Sequence, residues 1–495
     1  YLRGYGASQV TIGTNSVLVV LQTTASSFYG LLNAPPSATF VKAGTAALSI
    51  RDNATNFFGT VIITNGTLEL FDSNGRMAAS GEISFFVTNA TVELDNQPGT
   101  DNRNQNDRIH DDSPVYLSGG TLILRGSKNA NTTENIGALV LQGGLNTILL
   151  DRDNTSPTPD NGATLNPTVF IRTNGATLFV DAEQLFTNTI AGARTRLYKD
   201  DAQPAPVLTH AYTADSPTIG IVHWAYGRDL GSAAWPTNWM GDEYGFLTYD
   251  EANSPDNGFR FLKPSEYYTN DLSLGGNVYL RLATNTLVLL TDSVAVQGLV
   301  LNRNISEGST QGTLNLSNFV LHIESALLTS GTNNPATALT IRRTGSDGAL
   351  MFGNANNNYE AVIHATRRID IYAPIMDHIV GGVTNSTTLI KSGPADVVLR
   401  VAGGAGGAEF SSYSGDTYVN GGTLRLEGTS TWSYTSFNVI PTNTRVFLNS
   451  RSAILELYNA GQAIAGLYGY GRVNLNSGGN TTNRLVIHYT DTNEV

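Results

Sequence analysis

The sequence predicts an all-β chain of stacked short coils, a β-solenoid with lateral loop insertions. Three observations predict it. First, one unit recurs: Gly422-Thr423-Leu424-Arg425-Leu426, Gly66-Thr67-Leu68-Glu69-Leu70, Gly120-Thr121-Leu122-Ile123-Leu124 and Gly312-Thr313-Leu314-Asn315-Leu316, with Gly175-Ala176-Thr177-Leu178-Phe179-Val180 as a looser relative. In each, glycine permits a left-handed turn and the alternate apolar residues share one strand face. Second, only 14% of residues are charged, against about 25% in ordinary domains. Gly is abundant at 51 residues, a composition that favours strands and turns. Third, 495 residues is long for one compact core at about 150 residues per domain, but not for a solenoid, which grows by adding coils.

Composition also excludes. With no cysteine there is no disulfide framework, thiol chemistry or cysteine-bound zinc, which suits a bacterial exterior protein held by packing and ladders. A net charge of −12 argues against nucleic acid as a partner. No run of 18 apolar residues occurs, so no membrane-spanning helix is expected. The start at Tyr1 has no initiator Met or signal pattern, so the chain reads as a processed protein or a segment of a longer one.

In order, 1–186 reads as N-terminal coils with polar surface loops at 95–113 and 151–167. Lys42–Leu70 parallels Lys391–Leu426: Lys42-Ala43-Gly44 matches Lys391-Ser392-Gly393, and an aromatic precedes Gly59 as Tyr413 precedes Gly415. Between 187 and 270 the repeat fades and aromatics gather, which reads as a lateral insertion packed on the stack. Here Trp224, Trp235 and Trp239 are candidates for a glycan or subunit contact, against the plainer reading of a satellite core. From 271 to 495 the coils return. Gly-Tyr-Gly precedes a short alternating strand at both ends, at Gly4-Tyr5-Gly6 and Gly469-Tyr470-Gly471, so Tyr1, Tyr5, Tyr468 and Tyr470 are candidates for end-to-end stacking.

Lys391-Ser392-Gly393, Val397-Val398-Leu399, Tyr413-Ser414-Gly415-Asp416-Thr417 and Val419-Asn420-Gly421-Gly422-Thr423-Leu424 together resemble the autotransporter-associated β-strand repeat, departing from it at Pro394-Ala395-Asp396, where glycine is expected. Ile219–Ala225, Phe246–Asp250 and Asn257–Arg260 are similar to a segment of long planctomycete and verrucomicrobial surface proteins that carry these repeats. The resemblance implies a right-handed parallel β-helix exposed at the bacterial surface, a scaffold without an implied activity. With coils of roughly 20–25 residues the chain would make on the order of 17 coils, and at ~4.8 Å per coil a stack of roughly 80 Å.

Chemistry is thinly represented. His110-Asp111-Asp112 is the densest ionisable cluster, and Asp250, Glu251 and Asp256 are further acids that a polysaccharide-cutting β-helix would need to converge. A solvated loop is the plainer reading. No metalloprotease, P-loop, nucleophile-elbow or dinucleotide motif occurs. No cofactor is expected; Ca²⁺ in the Asp/Asn loops is the one ion considered. His322, His364 and His488 sit within strands and read as satisfied residues. The expected function is therefore structural and non-enzymatic: an extracellular or cell-surface subunit that forms a homopolymeric fibre, sheath or layer. A singly displayed glycan-binding adhesin and a polysaccharide-degrading enzyme are the alternatives.

Overall fold

The computed structural model describes residues 2–52, 54, 56–77, 83–97, 104–127, 129–152, 161–183, 185, 194–199, 203–213, 215–216, 218–229, 244–251, 258–269, 279–282, 287–302, 313–330, 338–400, 411–428, 438–476 and 483–488. The chain is a parallel β-solenoid in two compact units: Tyr1–Pro206 with Gly227–Trp235 and Tyr249–Phe261, and Val207–Tyr226 with Pro236–Thr248 and Leu262–Val495.

In the first unit the chain visits three sheets in turn. Val115–Ser118, Thr121–Arg125 and Thr132–Ile136 lie in the first, second and third sheets; Leu139–Gly143, Leu145–Asp151 and Ala163–Pro167 repeat the circuit, as do Phe170–Arg172, Thr177–Ala182 and Thr195–Leu197. Each strand pairs in parallel with its counterpart one coil on. The second unit follows the same circuit, for example Ala326–Ser330, Leu339–Arg342 and Ala349–Phe352, then Glu360–Ala365, Ile369–Ile371 and Ile375–Met376.

The recurring unit explains this periodicity. Leu68, Leu70, Leu122, Leu124, Leu178, Val180, Leu424 and Leu426 are all fully buried; all but Leu178, which lies beside Asn146, are stacked in register with apolar residues of neighbouring coils. Gly66 and Gly422 take φ of 64° and 60°, as the turn requires. A Cβ on Gly422 would lie 2.6 Å from both the Lys391 ammonium nitrogen and the Pro394 carbonyl oxygen, so no other residue fits. At the Gly120–Leu124 unit the left-handed residue is Gly119, not Gly120. Asn89, at φ 48°, replaces glycine before Thr91–Asp95, a further copy that a glycine-based pattern passes over. Gly312 lies outside the described residues.

Coil length departs from expectation. Leu48 lies beside Leu68, 20 residues on, but Leu327 lies beside Ile363, 36 residues on. The core needs only the strand residues in register; excess chain leaves as loops. Two loop assignments also change. Ala163–Pro167, within the expected 151–167 loop, is a strand with Ala163, Leu165 and Pro167 turned inward. The described part of 95–113 carries a fully buried Arg108 and Ile109.

The region 187–270 does not stand apart. Its described residues are shared between the two units. In the second unit, Val300, Ala326, Leu328, Val362 and Ile390 fall outside the main core cluster yet are buried. Ile219, Ile221, Val222, Trp224 and Tyr226 of the same unit are buried too. His364 places this segment over the strand Glu360–Ala365: its Nε2 donates to the His223 carbonyl at 2.9 Å, and its ring lies 4.6 Å from that of Tyr226. An apolar layer thus covers part of the outer face of the first sheet, which is why an aromatic-rich stretch interrupts the repeat.

Candidate functional surfaces

The two units present the same outer chemistry. On the first sheet, outward side chains form an apolar column. In the first unit it runs Val19, Val41, Ile62, Phe86, Tyr116, Val140, Ile171, one residue per coil. In the second it runs Ala326, Val362, Ile390, Tyr418, Phe447, Tyr468. The rings stack at the strand spacing: Phe86 on Tyr116 at 4.5 Å, Tyr418 on Phe447 at 4.8 Å and Phe447 on Tyr468 at 4.9 Å. Rings stacked along a column present edges outward, so this ladder supports the coils and is not a flat platform for a sugar.

On the second sheet the outer face is an ion ladder. Arg125 bridges Glu93 and Asp151 across three coils. In the second unit, Asp370 is held by Arg368 and Arg400, Arg400 reaches Glu427, and Arg425 joins Glu427 to Glu456. Single surface pairs contribute only about 0.2–1 kcal/mol, but shared partners reduce the ordering each must bear. Burial, reinforced by Glu93 and Glu69, pushes the Asp95 carboxyl up to about 6.

The Lys-x-Gly step has a structural role that its spacing alone does not show. Lys391 is fully buried and its ammonium donates to the carbonyls of Gly393 and Gly421. Lys42 does the same for Gly44 at 3.0 Å and Asn65 at 2.9 Å. Each lysine therefore ties its own turn to the turn one coil further on. Burial brings Lys42 down to about 8 and Lys391 to about 7.

The sequence-derived site residues are dispersed. Trp224 is only 6% exposed, so its indole is packed inside its unit and is not open to stack on a sugar. Trp235, Trp239 and Tyr1 lie outside the described residues, as does Asp256. Tyr5 stacks on Tyr29 with ring centroids 6.4 Å apart. Tyr468 ends the aromatic ladder, and Tyr470 is exposed. Asp111 and Asp112 are exposed, with His110 Nδ1 3.9 Å from Asp112. Asp250 is buried, and Glu251 lies 3.7 Å from the Lys199 ammonium. Among the described residues, no three His, Asp or Glu side chains converge as metal ligands would, and no helix is long and apolar enough to cross a membrane. His322 and His364 are each bonded to a backbone carbonyl.

Sequence reasoning missed the buried Arg108 and Glu134 and the grouping of His210, His322 and His378 near Glu324. The one signal for the former was Ile109, a lone apolar residue in a polar run. No family model matches the chain, and no curated protein or solved structure proved similar to it.

Proposed function

We propose that the protein is a structural, non-enzymatic subunit of a bacterial extracellular fibre, sheath or surface layer, built by stacking the coils of successive copies end to end. The observation that carries this reading is the condition of the outermost described strands. In the first unit Gly4–Thr11 and Val17–Leu21 are edge strands, and in the second so are Gly466–Gly469 and Arg472–Asn476. They display Tyr5, Val17, Val19 and Leu21 at 78%, 62%, 58% and 63% exposure, and Leu475 at 53%, with Tyr470 exposed at 62% between the last two strands. An apolar strand edge with open backbone groups pairs with further strands unless it is covered, and a heterologous contact that does not close yields filaments. The repeat-like step at Lys391–Leu424 supports a cell-surface setting.

Sedimentation velocity on the full chain tests the edge directly. The wild-type protein will form species that grow with concentration. A V19K/L21K variant, altered only at exposed side chains, will keep its circular dichroism spectrum and remain the smallest species. Identical growth of both proteins would remove the first-unit edge from the assembly.

A further inference from the structure

Strands His378–Val380 and Val383–Asn385 form an antiparallel hairpin, with His378 opposite Asn385 and Val380 opposite Val383. Its two-residue tip, Gly381-Gly382, has φ of 61° and 81°, as a tight hairpin turn requires. A Cβ on either glycine would meet no atom within 4 Å, so the tip projects clear of its surroundings. It carries Ile379, Val380 and Val383 at 43%, 54% and 61% exposure.

The base is held differently. His378 is buried. Its backbone N–H donates to Thr387 Oγ1 at 3.0 Å. Thr387 N–H and Ser414 N–H both donate to Asp377 Oδ1 at 2.8 Å. The Asn385 amide nitrogen lies 3.3 Å from His378 Nδ1. In this orientation of the amide its nitrogen donates, Nδ1 accepts and the neutral ring carries its proton on Nε2. The ring packs 5.1 Å from His322 and 4.8 Å from Tyr359. Next to them, Glu324 accepts from His210 Nε2 at 2.7 Å.

We propose that this hairpin is an apolar arm latched at its base by neutral His378, and that protonation of His378 releases it. A proton on Nδ1 would end the bond to Asn385 in its present amide orientation and place a charge beside the His322 ring in a buried position. Opening takes the imidazole to water, where it accepts the proton freely. Burial, and then His322, hold the His378 imidazole below its usual range, with Glu324 opposing. Glu324 itself is held below the usual carboxylate range, chiefly by the His210 bond, so it stays ionised while His378 titrates. Asp377 faces the same base through its two N–H bonds. The sign follows: the closed state binds fewer protons than the open one below the ordinary histidine value of 6.5, so closure weakens as pH falls through that range.

Amide hydrogen exchange on the full chain, corrected for intrinsic rates and compared between about pH 7.5 and pH 5.5, reads the opening. Exchange at 378–385 will quicken by up to about tenfold per pH unit, while the strand Leu339–Arg342, which lacks the titrating Lys391, will not change. H378F, which keeps a ring but no titration, will abolish the response. H322Q, which keeps a donor for the Gly353 carbonyl, will reduce it and move the His378 titration seen by NMR upward. Should H378F disturb Leu339–Arg342, H322Q alone decides. Equal hairpin exchange at both pH values, or an unchanged response in H322Q, overturns the proposal.

Discussion

Replacing Arg108 with methionine will open the coils around residues 72–136 while leaving the second unit intact. The guanidinium is fully buried and donates to the carbonyls of Asp72, Gly75 and Asp95 and to Asn96 Oδ1. Separately, the backbone N–H groups of Arg108 and Ile109 donate to the Glu134 carboxylate, at 3.2 and 2.7 Å. One side chain therefore ties together segments from consecutive coils. Methionine fills much of the volume and keeps the backbone bonds to Glu134, but strands the acceptors of the guanidinium and removes a positive charge that favours the Glu134 carboxylate. Buried acceptors left unsatisfied in this way cost about 1–3 kcal/mol each. The loss will grow with pH. Burial pushes Glu134 up to about 8, so its favourable contribution is full below the ordinary value of 4.5 and is lost as pH rises through about 8. Without Arg108 the cost of ionising it rises further. Hydrogen exchange at about pH 6 and pH 9 will show faster opening of these coils in the variant, more so at the higher pH. Because each coil contacts chiefly its neighbours, exchange at 388–400 will be unchanged. Uniform acceleration across the chain would contradict this account.

Lys391→Met is the second large expected effect. Two buried carbonyls, of Gly393 and Gly421, lose their shared donor, at about 1–3 kcal/mol each when left unsatisfied. The wild-type lysine also makes its coils pH-sensitive. The unfolded chain holds the proton up to about 10.5, whereas the buried amine gives it up near 7. Across that window the unfolded state binds more protons, so stability rises with pH. In the methionine variant exchange at 388–427 will be faster at about pH 6, and the gain in protection toward pH 10 will be absent. A variant that keeps the wild-type pH slope would show that another group sets it.

Both predictions concern residues whose importance was only partly legible in the sequence. The Gly-Thr-Leu-x-Leu units announce themselves because a strand with one buried face must alternate, and because the turn before it needs a positive φ; Leu424 and Leu426 behave as expected. Lys391 stood out by position, but a lysine two residues before a glycine does not reveal which carbonyls it meets, since these lie 2 and 30 residues along the chain. Arg108 was obscured by its neighbours. Asn, Asp and Gln on either side make the stretch look solvated, and only pairing across coils shows that the guanidinium satisfies an interior row of carbonyls. The aromatic-rich segment misled for the same reason: Trp224 is locally an exposed-looking aromatic, but the layer it joins is defined by strands more than 100 residues later, around His364. Strand units are local and were readable, whereas the lateral contacts that join coils to one another and to the covering layer are not local.

The central claim, end-to-end stacking of coils into a continuous scaffold, is tested most directly by electron cryomicroscopy of the purified full chain over a range of concentration and salt. The account predicts filaments in which the strand-spacing repeat of ~4.8 Å runs along the filament axis and continues through the junctions between copies. Dispersed particles under every condition, or filaments whose coils lie across the axis, would contradict it.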